Sequence, residues 1–276
     1  MVATPIGNLG DLGPRAGATL GAVDVIAAED TRQTRRLLEH LGIDTPMVAL
    51  HDHNERQALP GLVRQLEAGR QVALVSDAGT PLISDPGFRL VRAARGSGID
   101  VIAIPGPCAA VAALSSAGLP TDRFAFEGFV ASRSAARCRQ FEAVSSDPRT
   151  LIYYVPPRDL RATLADASAC FGSERTAAVV REISKVFEQG YCDTLEGLVS
   201  QASRDANMAR GEVVLLIGGA PAATDTGESR QTMRVLLESG LALKQAVDIA
   251  MKLTGDSRNS LYQQGQTIKD EISAND

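Results

Sequence analysis

Six short strings carry residue types able to bind a polar ligand or move a proton, and most of them follow an apolar run. In Glu29-Asp30-Thr31-Arg32-Gln33, Asp30 can cap a helix with Gln33 at capping-box spacing. Capping leaves Glu29 and Arg32 unexplained, and the functional reading puts Glu29, Asp30 and Arg32 at a cleft floor, facing a polar substrate. Arg181-Glu182-Ile183-Ser184-Lys185 offers a second acid–base pair, Glu182 with Lys185, either facing the cleft or forming a surface ion pair. His51-Asp52-His53-Asn54-Glu55 has metal-ligand residue types, but His40 is the only other histidine. No metal is expected, and His51, His53 and Asn54 are read as a polar, substrate-facing loop.

The densest string is Ser76-Asp77-Ala78-Gly79-Thr80-Pro81-Leu82-Ile83-Ser84-Asp85-Pro86-Gly87. A plain connection needs fewer special residues, since most loops run about four to six. Such a loop can offer backbone donors and acceptors while Leu82 and Ile83 form an apolar wall. Thr4-Pro5-Ile6-Gly7-Asn8-Leu9-Gly10-Asp11 and Pro105-Gly106-Pro107-Cys108-Ala109-Ala110 are Gly/Pro loops where a backbone can approach a ligand. Neither is a dinucleotide fingerprint or a phosphate-binding P-loop. Cys108 has no base partner near it in sequence and is read as a small packing residue.

These strings must be positioned by something. Val23–Ala28, Val72–Val75 and Val101–Ile104 read as short buried strands, with helical patterns over Thr31–Leu41 and Leu59–Ala68. The alternation predicts parallel strands covered by helices. A second α/β region has strands at Leu151–Val155, Ala177–Val180 and Val213–Ile217, and helices at Arg158–Phe171 and Thr194–Arg204. The expected organisation is an N-terminal α/β domain over 1–119, a second over 120–219, and a helical tail over 228–276. Gly219–Gly227 is read as a linker, and the tail as helices at Arg230–Glu238, Leu243–Leu253 and Ser257–Ile268. A cap packed on the second domain is the favoured reading of the tail, and a helix-turn-helix the alternative.

Composition narrows the class. The chain has 276 residues, 44% hydrophobic and 22% charged, which excludes a disordered or fibrous protein. Its four cysteines are scattered without a CxxC pair, and no targeting or membrane-spanning segment is evident. A reducing cytoplasm is expected. Net charge is −5, so nucleic acid binding must rest on local basic faces, with Arg133, Arg137 and Arg139 as one cluster and Lys244, Lys252 and Arg258 in the tail as another.

The strings ATPIGNLGDL, AAEDTRQTRRLL, ALHDHNE, ALVSDAGTPLISDPG and IPGPCAAVAALSSAGLPTDRFAFEGF, in this order, resemble the ribosomal RNA small-subunit methyltransferase I family of tetrapyrrole-methylase-like proteins. REISK and GEVVLLIGG add to the match, which runs from Val2 to about Gly218 and more loosely through the tail. The resemblance implies two α/β domains with an interdomain cleft for S-adenosylmethionine, a homodimer, and methylation of the ribose 2′-hydroxyl of a cytidine in the decoding region of small-subunit (16S) ribosomal RNA, free or in the 30S subunit. It places Asp77, Ala78, Gly79, Thr80, Pro81, Leu82 and Ile83 in the cofactor loop. It adds Pro5, Cys108, Ala109, Val155, Ala178 and Val213 as further cofactor contacts, with Glu29, Arg32, His51, His53, Asn54, Arg133 and Arg137 toward the substrate.

Ribose methylation requires loss of a proton, and Asp30 and Glu182 are the candidate bases, oriented by Lys185 or Arg32. Three departures from the family pattern stand out. Only Met1–Ala3 precede Thr4, too few for a normal buried strand, so the first strand is truncated or begins upstream. Tyr153-Tyr154-Val155-Pro156-Pro157-Arg158 lacks a Glu and a His usual there, and FVASRSAARCR is poorer in lysine than its counterparts. The alternatives are a tetrapyrrole C-methyltransferase and a catalytically silent RNA-binding homologue.

Overall fold

The computed structural model describes residues 1–220, 227–256 and 258–273. Residues 1–219 form one compact unit and residues 220–276 another.

The first unit opens with α1 (Pro14–Ala22), β1 (Val25–Ala28), α2 (Thr31–Leu41), β2 (Met47–Ala49), α3 (Glu55–Glu67), β3 (Val72–Val75), α4 (Phe88–Gly96) and α5 (Ala109–Ser116). Its three strands are parallel in the order β2-β1-β3, as the strand–helix alternation requires. β1 is buried along its whole length because both faces are covered. Ala16, Leu20 and Leu38 of α1 and α2 pack on one face; Leu62 and Leu90 of α3 and α4 pack on the other.

The predicted strand Val101–Ile104 does not form. Only Ile104 makes a bridge, with Val2, and Ile102 is 63% exposed. A strand needs a neighbour along its length, and this segment's partner is Met1–Ala3. The contacts there are Met1 N to Ile102 O, Ile104 N to Met1 O and Ala3 N to Ile104 O.

The unit continues with β4 (Phe124–Phe129), α6 (Ser134–Glu142), β5 (Thr150–Val155), α7 (Leu160–Phe171), β6 (Thr176–Arg181), β7 (Gln189–Thr194), α8 (Leu195–Arg204) and β8 (Val213–Ile217). This sheet has the order β4-β5-β8-β6-β7 and is mixed, a strand direction that the sequence left open. Only β4 and β5 run parallel; β6 and β7 form an antiparallel hairpin, and β8 inserts antiparallel to both β5 and β6. Its central strands β5, β8 and β6 are buried on both faces, so they read as unbroken apolar runs whatever their direction. Tyr153, Val179 and Leu215 face Phe141, Leu164 and Leu198 of α6–α8. Ile152, Ala178 and Leu216 face Ala110, Ala113 and Leu114 of α5.

Helix α5 lies before the proposed boundary at 119/120 yet packs on the second sheet. Its run of alanines permits that close approach, and the two sheets are thereby held in one unit.

The second unit contains α9 (Gly227–Glu238), α10 (Leu243–Thr254) and α11 (Arg258–Ser273). They build their own core from Met233, Ala246, Val247, Ala250, Leu261 and Ile268. Most of the predicted linker, Ser257 at the expected start of the last helix, and 274–276 lie outside the described residues.

Candidate functional site: an acidic cleft in the first unit

The first sheet reverses its strand order about β1, with β2 on one side and β3 on the other, so a crevice opens where the carboxyl ends of β1 and β3 part. Glu29 leaves β1 and Asp77 leaves β3 at that point. Asp77 N donates to Glu29 Oε2 at 3.2 Å, and Asp30 N donates to Asp77 Oδ1 at 2.9 Å. Three Gly/Pro strings converge here. Thr4 and Gly79 exchange backbone hydrogen bonds, Thr80 Oγ1 donates to Pro107 O at 2.9 Å, and a Cβ on Gly106 would lie 2.9 Å from that of Ala3.

The result is a cleft of about 470 Å³ between these loops and the ends of β5 and β8, within the usual range for a small-ligand site. A larger cavity, about 610 Å³, lies beside Val72 and Ile102 and includes none of the six strings. The cleft is therefore taken as the site.

Its lining is acidic and apolar. Glu29, Asp77, Asp85 and Glu212 contribute carboxylates, Ile83, Val155 and Val213 contribute wall, and among the described residues no Lys, Arg or His lines it. Such a lining suits a ligand that carries positive charge and an apolar body. Burial raises the Glu29 carboxyl above its usual range; the Asp77 amide opposes this, and the Asp77, Asp52 and Asp30 charges add to it. Burial likewise pushes Asp85 up to about 6, with Ser76 opposing and Glu29, Asp77 and Asp52 adding. Tyr154, packed on Phe129 at 5.3 Å, is pushed up to about 12, chiefly by burial, and so remains a neutral phenol.

The expected contacts divide. Asp77, Ala78, Gly79, Thr80, Ile83, Cys108, Ala109, Val155 and Val213 line the cleft. Pro5, Pro81, Leu82 and Ala178 are not among the lining residues. Leu82 packs under β3 on the Leu74 cluster, and Ala178 is sealed beneath α5. Asp85, Phe129, Tyr154 and Glu212 line it without having been singled out. Asp85 belongs to the Ser76–Gly87 string, whose density was the available signal. Tyr154 and Glu212 carried no such mark, because their place depends on the antiparallel pairing of β5 with β8.

Among the described residues, the non-glycine positions with left-handed backbone are Leu82, Ser84, Glu182 and Ser184. They fall in the two loops flanking the cleft, where local strain is commonly retained for function.

Several expected site residues are engaged in local contacts. Asp30 caps α2 by accepting from Arg32 N at 2.8 Å and takes two bonds from the Arg32 guanidinium. These contacts, the Arg32 side chain first, hold its carboxyl down at about 2. Glu182 is likewise occupied. Its Oε1 accepts from Lys185 Nζ at 2.9 Å and Glu212 N at 3.0 Å, which hold its carboxyl below the usual range. Lys185 also reaches Glu212 Oε2 at 2.9 Å; burial pulls its ammonium down, but the two carboxylates outweigh this and the net shift is upward. Lys185, Glu182 and Glu212 thus form a brace, with the lysine stem against Gly7 and Ser184 bonded to Asp11 across the cleft.

Arg137 is not a surface cation. It is 2% exposed, pairs with Asp166 at 2.6 Å and donates to Ala131 O and Ser132 O. Arg133 and Arg139 are exposed. Asn54 is also committed locally: its amide bridges His51 N and Ala49 O, while His53 is exposed and His51 half-buried.

A family model described as tetrapyrrole (corrin/porphyrin) methylases matches residues 1–199, and one described as the RsmI C-terminal HTH domain matches 223–269. A protein of Pseudomonas aeruginosa named ribosomal RNA small subunit methyltransferase I is 49% identical over 96% of this chain and 95% of its own. The chain belongs to the ribosomal RNA small-subunit methyltransferase I family, within the tetrapyrrole methylases. The fold is shared with solved structures of low identity. Diphthine synthase superposes with a TM-score of 0.61 at 16% identity, covering 79% of this chain and 88% of that one. A uroporphyrin-III C-methyltransferase of Thermus thermophilus, complexed with S-adenyl homocysteine, gives 0.52 at 18%, covering 79% and 95%. Among the described residues, no helix is long and apolar enough to cross a membrane.

Proposed function

We infer that the protein transfers a methyl group from S-adenosylmethionine to the ribose 2′-hydroxyl of a cytidine in the decoding region of small-subunit ribosomal RNA. The observation that carries the cofactor is the lining of the cleft: carboxylates and apolar wall without a single cationic side chain. S-adenosylmethionine brings a methyl group on a positively charged sulfur, already activated toward an oxygen nucleophile. Ala78, Gly79, Thr80, Ile83, Ala109, Val155 and Val213 would hold it, with Glu29 and Asp77 favouring its positive charges.

The chain's own contribution is positioning, exclusion of water and removal of the hydroxyl proton. The Lys185–Glu182–Glu212 brace fixes the wall opposite the Gly79 loop. Exposed Arg133 and Arg139, together with Lys244 and Lys252 in the helical unit, supply cationic side chains for phosphate. The match of that unit to a helix-turn-helix family model supports an RNA-contacting role for 228–276.

The reading includes a homodimer, the 30S subunit as substrate and a cytoplasmic location. Two measurements test it: incubation of the protein and labelled cofactor with small subunits from cells lacking the enzyme, and sedimentation for the dimer. Methyl incorporation at a ribose is expected. Incorporation only into a tetrapyrrole, or none with bound cofactor, would favour the C-methyltransferase or the silent homologue.

A further inference from the structure

We propose that Asp85 accepts the proton of the attacking ribose hydroxyl; this rests on the ribose methylation proposed above. Of the carboxylates lining the cleft, the others are engaged. Glu29 takes the Asp77 amide, Asp77 takes the Asp30 amide, and Glu212 takes the Lys185 ammonium. Asp85 is held by neither a backbone amide nor an ion pair and faces only the Ser76 hydroxyl. It is half-buried in a turn whose shape is unusual. Leu82 and Ser84 before it have φ of 76° and 69°, and Gly87 after it has φ of 115°. A Cβ on Gly87 would lie 2.5 Å from Leu74 Cδ2. The backbone is thus locked on both sides of the one lightly engaged acid in the cleft, the arrangement expected where strain positions a reacting group.

The groups around Asp85 come from each neighbouring element: Ser76 and Asp77 from the end of β3, Glu29 from β1, and Asp52 beyond β2. Tyr154 of β5 senses Asp85, Cys108 at the start of α5 and Glu212 before β8. No cation opposes these acids within the lining, and burial first, then their charges, push the Asp85 carboxyl up to about 6, toward the range that suits a general base. In the step, the hydroxyl O–H bond breaks as the O–C bond forms. The C–S electron pair returns to sulfur, leaving a neutral thioether. The proton stays on the Asp85 carboxyl until solvent removes it.

The same environment gives a signature in the cofactor-free protein. Burial raises Asp85 from 3.8 to about 6, so the folded state holds this proton more tightly than the unfolded state. Stability therefore falls as pH rises through about 4 to 6, and above that window the ionised carboxylate is a fixed cost. Asp85→Asn should melt above wild type at pH 7.5.

The test uses the full chain and small subunits lacking the modification. Asp85→Asn is expected to lose roughly a hundredfold or more in single-turnover rate while calorimetric affinity for S-adenosylmethionine stays within about threefold. The fall of wild-type kcat/KM for the cofactor below about pH 6 should vanish in the variant, and Asp85→Glu should recover part of the rate. An Asp85→Asn rate within about threefold of wild type, with the acid limb intact, overturns the proposal. So does a parallel loss of rate and cofactor affinity. If either variant fails to fold, the other carries the comparison. Failure of wild type to methylate the subunits would instead sink the reading of function.

Discussion

Gly79 has φ of 81°, and a Cβ there would lie 3.2 Å from Ile6 Cγ2, inside the cleft. Gly79→Trp should therefore weaken S-adenosylmethionine by more than about tenfold, with a modest loss of stability of about 1–2 kcal/mol from the left-handed backbone. Unchanged calorimetric affinity would show that the cleft is not the cofactor site. Arg137 and Arg133 make a second contrast. Arg137→Ala leaves Asp166 and two carbonyls without their buried partner and should cost about 3–5 kcal/mol, read by denaturant melting. Arg133→Glu should leave melting unchanged and lower the salt slope of rRNA binding by about 1. The sequence placed both arginines in one basic face because residue type carries charge but not burial. Only the helical register of α6 against α7 turns Arg137 inward to Asp166 while Arg133 and Arg139 stay out. At Asp30, capping competes with catalysis for the same carboxylate, and the contact that engages it comes from Arg32, two residues away.

The β6–β7 loop is the element on which the cleft's second wall depends. Arg181, nearly buried, bonds Arg210 O, Phe187 O and Gln189 Oε1, tying the start of the loop to its end. Lys185→Met should leave Glu182 and Glu212 repelling each other, lowering stability by about 1–2 kcal/mol and melting temperature by a few degrees. A melting curve superimposable on wild type would mean that the brace carries no energy. Most elements were legible as apolar runs between Gly/Pro strings, and β1, β3, β5, β6 and β8 stand where those runs lie. Direction was not legible, because a strand buried on both faces has the same composition whether parallel or antiparallel. Val101–Ile104 shows the complementary limit: it has the composition of a strand but lacks neighbours along its length. The loops could be read further than the strands, since their special residues are required locally by Gly79's backbone and by the Thr4–Gly79 and Thr80–Pro107 contacts.

At the scale of the whole molecule, a net charge of −5 leaves little general attraction to phosphate, so RNA binding must be local. All residues lining the cleft lie within 1–219, while 220–276 has its own core. Deletion of 227–276 should therefore leave cofactor affinity within about threefold of wild type and weaken binding to small subunits by roughly tenfold or more. Equal losses of cofactor affinity, melting temperature and RNA affinity would show instead that the helical unit supports the cleft. The central claim is a ribose methylation, and mapping the methyl group tests it most directly. Small subunits from cells lacking the enzyme, treated with pure protein and isotopically labelled S-adenosylmethionine, are digested to nucleosides and analysed by mass. The account predicts label in 2′-O-methylcytidine from the decoding region, at one site per subunit; label on a base, or none under conditions where the cofactor is bound, would contradict it.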